Sequence, residues 1–196
     1  MHIERHRTDI LIIGAGGAGL FAALHAKQAN PDLDVTIAVK GLMGKCGCTR
    51  MVQGGYNVAL APGDSIERHF MDTIEGGKWL PRQDLAWKLC VTAIERIREL
   101  ENEVGCFFDR NPDGSLHQKA FAGQTFDRTV HKGDLTGIEI INRLMEQVRA
   151  RGATATDHDV PHLMTAWLPR LDVEALYAKA LRAILSGEEE AVFHGH

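Results

Sequence analysis

The chain has 196 residues, 44% of them hydrophobic, and its 26 acidic and 22 basic side chains give a formal charge of −4. This size and composition suit one ordinary globular domain, and the lack of a basic run argues against nucleic acid as a partner. The polar first nine residues do not resemble a secretory leader, and no apolar run approaches the ~20 residues that span a bilayer. We therefore expect a cytoplasmic protein without direct membrane insertion.

The first predicted element lies at "ILIIGAGGAGLFAAL", residues 10–24. Its four apolar residues predict a strand buried on both faces of a parallel sheet, and the residues after the glycines predict a helix. Between them, Gly14, Gly16 and Gly19 follow the G-x-G-x-x-G order of a dinucleotide-binding turn. Gly14 would permit the turn, Gly16 would admit a pyrophosphate, and Gly19 would let the helix pack on the strand.

The second strand is predicted at "DVTIAV", residues 34–39, and Lys40 stands at its end. An NAD enzyme is expected to carry a carboxylate near this point, about 20 residues after the glycines. Lys40 therefore disfavours NAD but leaves both NADP and FAD open.

Further along, "QGGYN" places Gln53 beside Gly54 and Gly55, whose exposed N–H groups suit the edge of a planar heterocycle, although an ordinary turn would look the same. Asp64 and Glu67 predict a capping box at the start of a helix that Gly76 and Gly77 end. The remaining scaffold predictions are a helix with its apolar stripe on residues 85–100, two short strands joined at 111–114, and a helix that closes at Gly152.

The sequence resembles the FAD-dependent flavoproteins of succinate dehydrogenase and fumarate reductase and their relative L-aspartate oxidase. Five segments match that family in order: "GAGGAGL", "GCTRMVQGGYN", "DTIEGGKWLPRQD", "DGSLHQKAFAGQ" and "RTVHKGDLTG". The resemblance begins at Asp9 and stops at about Gly152.

This resemblance implies an α/β, Rossmann-like FAD-binding domain over residues 1–152, incomplete relative to the family, followed by a tail over 153–196 with one amphipathic helix. It implies FAD as cofactor, hydride transfer to or from a dicarboxylate-like substrate, and a partner that is an iron–sulfur or other electron-transfer protein. Phe121 and Gln124 would border the substrate. The cofactor-binding residues implied by the match and by the glycine turn are Gly14, Ala15, Gly16, Gly17, Ala18, Gly19, Lys40, Cys48, Thr49, Gln53, Gly54 and Gly55.

Cys48 stands where covalently flavinylated members of the family carry histidine. The simplest interpretation is noncovalent FAD with a small buried residue under the ring, whereas a thioether link is the alternative because a thiolate is a nucleophile. Cys46 and Cys48 form a C-x-C without a second pair nearby, so no metal site is expected.

The family's proton donor and its carboxylate-binding arginine and histidines belong to later segments that nothing after Gly152 resembles. Two hypotheses remain open at this point. The chain either belongs to a dicarboxylate oxidoreductase, or it is a truncated FAD-binding module without turnover.

Overall fold

The protein is described here from a computed structural model, which defines residues 7–39, 41–45 and 47–155. The tail helix predicted after Asp172 lies outside these residues. The described part contains short strands, four α-helices and one short 3-10 helix over Thr49–Met51. The strands are β1 (Ile10–Ile13), β2 (Val35–Ala38), β3 (Tyr56–Asn57), β4 (Gln118–Lys119), β5 (Thr129–Val130) and β6 (Thr154–Ala155). The α-helices are α1 (Gly17–Ala29), α2 (Ile66–Gly76), α3 (Gln83–Asn102) and α4 (Thr136–Ala150).

A parallel sheet in the order β1-β2-β6 carries the first glycine turn. β1 pairs with β2 from Ile10 opposite Val35 to Ile13 opposite Ala38, and α1 connects the two strands, as parallel pairing requires. Strand, turn, helix and parallel strand follow the predicted order. The chain therefore has the α/β, Rossmann-like architecture that the sequence predicted.

The first strand is not buried on both faces, which corrects the sequence prediction. Leu11 is 45% and Ile13 is 55% exposed, whereas Ile10 and Ile12 are partly covered. The apolar run is continuous, but within the described ranges the residues that cover β1 lie mainly on one face. A sequence run indicates burial without showing which residues provide it.

A second, antiparallel sheet has the order β3-β5-β4. Asn57 lies opposite Thr129, and Lys119 lies opposite Thr129 from the other side. The predicted turn precedes this sheet: Gly114 takes a φ of +86° and donates its N–H to the Asn111 carbonyl at 2.9 Å. The two strands predicted around this turn reduce to a single bridge between Arg110 and Leu116.

Helix α2 begins one residue later than the capping pattern predicted. The Ser65 hydroxyl accepts the N–H of Arg68 at 3.1 Å and is the N-cap, whereas the Asp64 carboxylate turns inward to Arg128. Asp64 is therefore not the cap. Its carboxylate is satisfied by a guanidinium 64 residues away, which local pattern cannot reveal.

Helix α3 is present, but its buried face differs at the N-terminal end from the predicted stripe. Leu85 and Leu89 are more than half exposed, while Ala86 and Cys90 are buried. From Ala93 onward the predicted stripe and the buried face agree, with Ile97 and Leu100 almost inaccessible.

The core lies between the parallel sheet and α1, α3 and α4, and α1 packs directly on α4. Its inaccessible side chains include Leu20, Leu24, Ile37, Leu144 and Val148, each contributing roughly 1.5–3 kcal/mol through burial. Helix α4 ends before Gly152, which has the positive φ of +71° typical of a helix stop. Among the described residues, no helix has both the length and the apolar character needed to cross a bilayer.

Candidate functional site

The glycine turn leaves its backbone facing open space. Gly14 has a φ of +102°, which favours glycine, and its N–H donates to the Ala38 carbonyl at 2.8 Å. A Cβ built on Gly14 would meet no atom within 4 Å, and one on Gly16 would meet only Thr49 Oγ1 at 3.8 Å. The space in front of the α1 N-terminus is therefore suited to a pyrophosphate, which the helix dipole and free N–H groups favour.

Gly19 lies on the opposite side of the turn, where there is no spare space. A Cβ there would lie 2.0 Å from the Gly14 carbonyl oxygen. The helix and the strand thus approach each other as closely as glycine permits. Ala15 is buried in the core, and Ala18 is half-buried.

Thr49 connects the glycine turn to the next predicted cofactor segment. Its hydroxyl accepts the N–H of Gly17 at 3.1 Å, and a Cβ on Gly17 would lie 3.2 Å from the same side chain. One of the four free N–H groups at the helix start is therefore already satisfied by the protein. The 3-10 helix that contains Thr49 is positioned against α1 by this contact.

The Gln53–Gly55 loop and the Phe121–Gln124 segment, which the sequence placed at the flavin and at the substrate, lie side by side. A Cβ on Gly54 would lie 2.7 Å from the Phe121 ring. Gln53 and Phe121 are exposed, whereas Gln124 is half-buried and its amide donates to Thr129 Oγ1 at 3.3 Å. The structure thus brings together residues about 70 positions apart along the chain.

Gly137 belongs to the segment "RTVHKGDLTG", and the sequence alone assigned it no role. Its N–H donates to the Val52 carbonyl at 2.9 Å, and a Cβ there would lie 1.9 Å from the Thr49 carbonyl oxygen. The buried Thr136 hydroxyl accepts the N–H of Lys132 at 3.0 Å. The Thr-Gly pair therefore packs α4 against the cofactor loop, and its place in the matching motif was the available signal.

Arg128 is the second group that sequence reasoning missed. Its side chain is inaccessible and pairs with Asp64 at 2.8 Å and with Asp72 at 2.5 Å. Burial alone would raise the pKa of Asp72, but hydrogen bonds from Thr125 and Arg128 lower it below its usual value. Asp72 is therefore ionised at neutral pH, and its pairing with Arg128 continues through Asp64 in one buried cluster behind the site.

A pair of histidines lies beside β4 and β5. His117 Nδ1 and His131 Nε2 are 2.7 Å apart, and His131 Nδ1 lies 3.2 Å from Asp109. Burial and the charge of Lys119 lower the pKa of His131 despite Asp109. His131 is therefore neutral at pH 7, and its contacts make it part of the scaffold that joins the two strands.

Other predicted site residues occupy less informative positions. Lys40 and Cys46 lie outside the described residues. Cys48 is exposed at the N-terminus of the 3-10 helix rather than buried by other protein atoms. In the described part of the chain, no three His, Cys, Asp or Glu side chains are arranged to hold a metal ion.

Together, the β-turn-α unit with its open backbone and the second glycine loop define a dinucleotide-binding domain of the Rossmann-like class. The chain belongs to the family described as "FAD binding domain", whose family model matches residues 9–178. FAD is therefore the cofactor that this fold binds. The match also includes residues 153–178, where the motifs gave no resemblance.

Curated relatives and solved structures agree with this family. The chain is 46% identical over 142 residues to an uncharacterized FAD-dependent oxidoreductase of Methanocaldococcus jannaschii, covering 72% of this chain and 25% of the relative. It is 44% identical over 160 residues to a component of the fumarate reductase (CoM/CoB) of Methanothermobacter marburgensis, covering 80% and 29%. The Escherichia coli quinol fumarate reductase FrdA superposes with a TM-score of 0.73 at 34% identity, covering 76% and 26%. The chain thus spans a quarter to three tenths of the length of these proteins.

Proposed function

We propose that the chain is the FAD-binding part of an oxidoreductase in which the flavin exchanges a hydride with a small dicarboxylate of the succinate or fumarate type. The contact between Gly54 and the Phe121 ring carries this proposal, because it places the flavin loop against the segment predicted to border the substrate. The names of the fumarate reductase relatives support the substrate class.

Bound FAD would supply the hydride acceptor or donor, while the protein supplies position and electrostatics. The open backbone at Gly14 and Gly16 would receive the pyrophosphate. The Gln53 amide and the N–H groups of the following glycines would meet polar atoms at the ring edge. Phe121 and Gln124 would then border the substrate.

For partners, we propose an electron-transfer chain such as an iron–sulfur protein. The Methanothermobacter relative is named as one component of a fumarate reductase with several chains, which supports a multi-subunit setting.

The second candidate function is an FAD-binding module without turnover. The observation that favours it is that the relatives are about four times longer than the matching part of this chain. The 196-residue chain alone would then position FAD without binding a dicarboxylate productively.

Cofactor uptake tests the part that both candidates share. The purified chain is expected to be yellow or to take up added FAD with a shifted visible absorbance spectrum. Titration with NADPH is the matched control. A colourless chain that ignores FAD but binds NADPH would overturn the proposal.

We expect the FAD to be held noncovalently, although Cys48 is exposed and lies where covalent members have histidine. Precipitation of the loaded protein with acid should leave all flavin absorbance in the supernatant. Yellow colour that stays in the pellet of the wild type, and is absent from Cys48→Ala, would show a thioether instead.

We expect the isolated chain to have little or no fumarate reductase or succinate dehydrogenase turnover even with FAD bound. A missing general acid costs typically ~10²–10⁴-fold, and poor substrate positioning adds further orders of magnitude. Reduced viologen with fumarate provides the assay, with a full-length relative measured beside it. A rate that approaches the relative's would reject the module and show that this chain supplies its own acid.

A further inference from the structure

A single buried threonine connects the flavin loop to the substrate-bordering segment. Thr129, only 1% exposed, lies in β5 directly opposite Asn57 of β3. Its hydroxyl donates to Asn57 Oδ1 at 2.8 Å and accepts from Gln124 Nε2 at 3.3 Å. One hydroxyl thus bonds a residue two positions after Gly55 and a residue three positions after Phe121.

The methyl group of Thr129 contacts the flavin loop from below. Gly55 has a φ of +135°, and a Cβ there would lie 2.5 Å from Thr129 Cγ2 and 2.4 Å from the Val130 carbonyl oxygen. The backbone of the loop therefore rests directly on β5. The two substituents of one Cβ act on the two loops separately, the methyl on the first and the hydroxyl on both.

The segment that carries Thr129 is fixed from behind. Arg128 is inaccessible and ion-paired with Asp64 and Asp72, and Asp72 also accepts the N–H of Thr125 at 2.9 Å. The Arg128 carbonyl accepts the N–H of Val58 at 3.0 Å. Because the neighbours of Thr129 are anchored to α2 and to the residue after β3, its hydroxyl is a fixed reference for the Gln124 amide.

We propose that Thr129 is a positioning residue of the site: it sets the Gln124 amide and the Phe121 segment relative to the flavin loop. The proposal rests on the proposed function for its substrate but not for its geometry. Thr129 is itself covered by the two loops, so it acts through Gln124 and Asn57.

Two substitutions separate the hydroxyl from the methyl. Thr129→Val keeps the shape and the methyl beneath Gly55 but loses both hydrogen bonds, whereas Thr129→Ser keeps the hydroxyl. In the FAD-free chain, NMR is expected to show a distinct, slowly exchanging Gln124 side-chain NH₂ in the wild type and in Thr129→Ser. That signature should be lost in Thr129→Val.

In the FAD-loaded chain, succinate is added while the flavin absorbance is followed. We expect Thr129→Val to bind succinate about tenfold more weakly, as the loss of two neutral hydrogen bonds implies, with its FAD affinity changed less than about threefold. Thr129→Ser should retain the wild-type succinate response.

Each outcome decides between a positioning and a merely structural role. An unchanged Gln124 signature in Thr129→Val, or an equal loss of FAD affinity and melting temperature in both variants, would overturn the proposal. If the wild type takes up no FAD or ignores succinate, the proposed function fails at that step. The NMR comparison then still decides whether Thr129 holds Gln124.

Discussion

Replacement of Gly16 by valine is expected to abolish FAD uptake while leaving the fold in place. Gly16 has an ordinary φ of −76°, and a Cβ there would meet only Thr49 Oγ1 at 3.8 Å. The free protein therefore has room for the new side chain. Its branches would instead fill the space that the pyrophosphate needs.

The expected loss in FAD affinity is at least about a hundredfold, which corresponds to ~2.7 kcal/mol. The cost to stability is smaller, roughly 0.5–1 kcal/mol, because valine is a poor helix N-cap. Fluorescence titration with FAD measures the first quantity, and thermal unfolding of the FAD-free protein measures the second.

Gly19→Ala is the matched contrast within the same turn. Its Cβ would lie 2.0 Å from the Gly14 carbonyl oxygen, so α1 must move away from β1, at a cost of roughly 1–3 kcal/mol or more. This variant should lose melting temperature whether or not FAD is present. Normal FAD affinity in Gly16→Val would show that the cofactor does not approach the turn as the fold implies.

Local sequence was sufficient for the elements around this turn. The strand, the glycines and α1 follow one another within 20 residues, and each depends on backbone conformation that nearby residue types determine. The resemblance then identified the two loops whose contact at Gly54 and Phe121 the structure displays.

The sequence failed where a residue's surroundings come from distant parts of the chain. Asp64 fits a helix-capping pattern, yet its carboxylate is bound to Arg128. Leu11 and Leu85 fit buried stripes, yet both are about half exposed. Gly137 has no unusual local signal, and its need for a missing side chain comes from Thr49 and Val52. Periodicity shows which side of an element is apolar, whereas burial depends on what packs there.

Arg128→Met is expected to cause the largest loss of stability among these substitutions. The guanidinium donates Nε and Nη2 to Asp64 at 2.9 and 2.8 Å and Nη1 to Asp72 at 2.5 Å. Removal of the cation leaves two buried carboxylates without a counter-charge, which typically costs about 3–5 kcal/mol. Urea unfolding of the FAD-free protein at pH 7 measures the change.

The pH dependence distinguishes this electrostatic cost from the loss of packing. In the wild type, the lowered pKa of Asp72 contributes stability at neutral pH that is lost as pH falls through its folded value. In Arg128→Met, burial is opposed by fewer hydrogen bonds to Asp72, so its protonation relieves the penalty. The stability difference between variant and wild type should therefore narrow as pH is lowered from 7 to about 4.

Neutralising the two carboxylates in the variant gives the matched control. In Arg128→Met with Asp64→Asn and Asp72→Asn, the amide oxygen at position 72 keeps an acceptor for the N–H of Thr125, which now bonds Asp72 at 2.9 Å. This triple variant should recover about 2 kcal/mol relative to Arg128→Met, because no buried charge remains unpaired. An equal loss in both variants at every pH would mean that the Arg128 side chain stabilises the fold by its volume, and that its charge does not hold the segment behind Thr129.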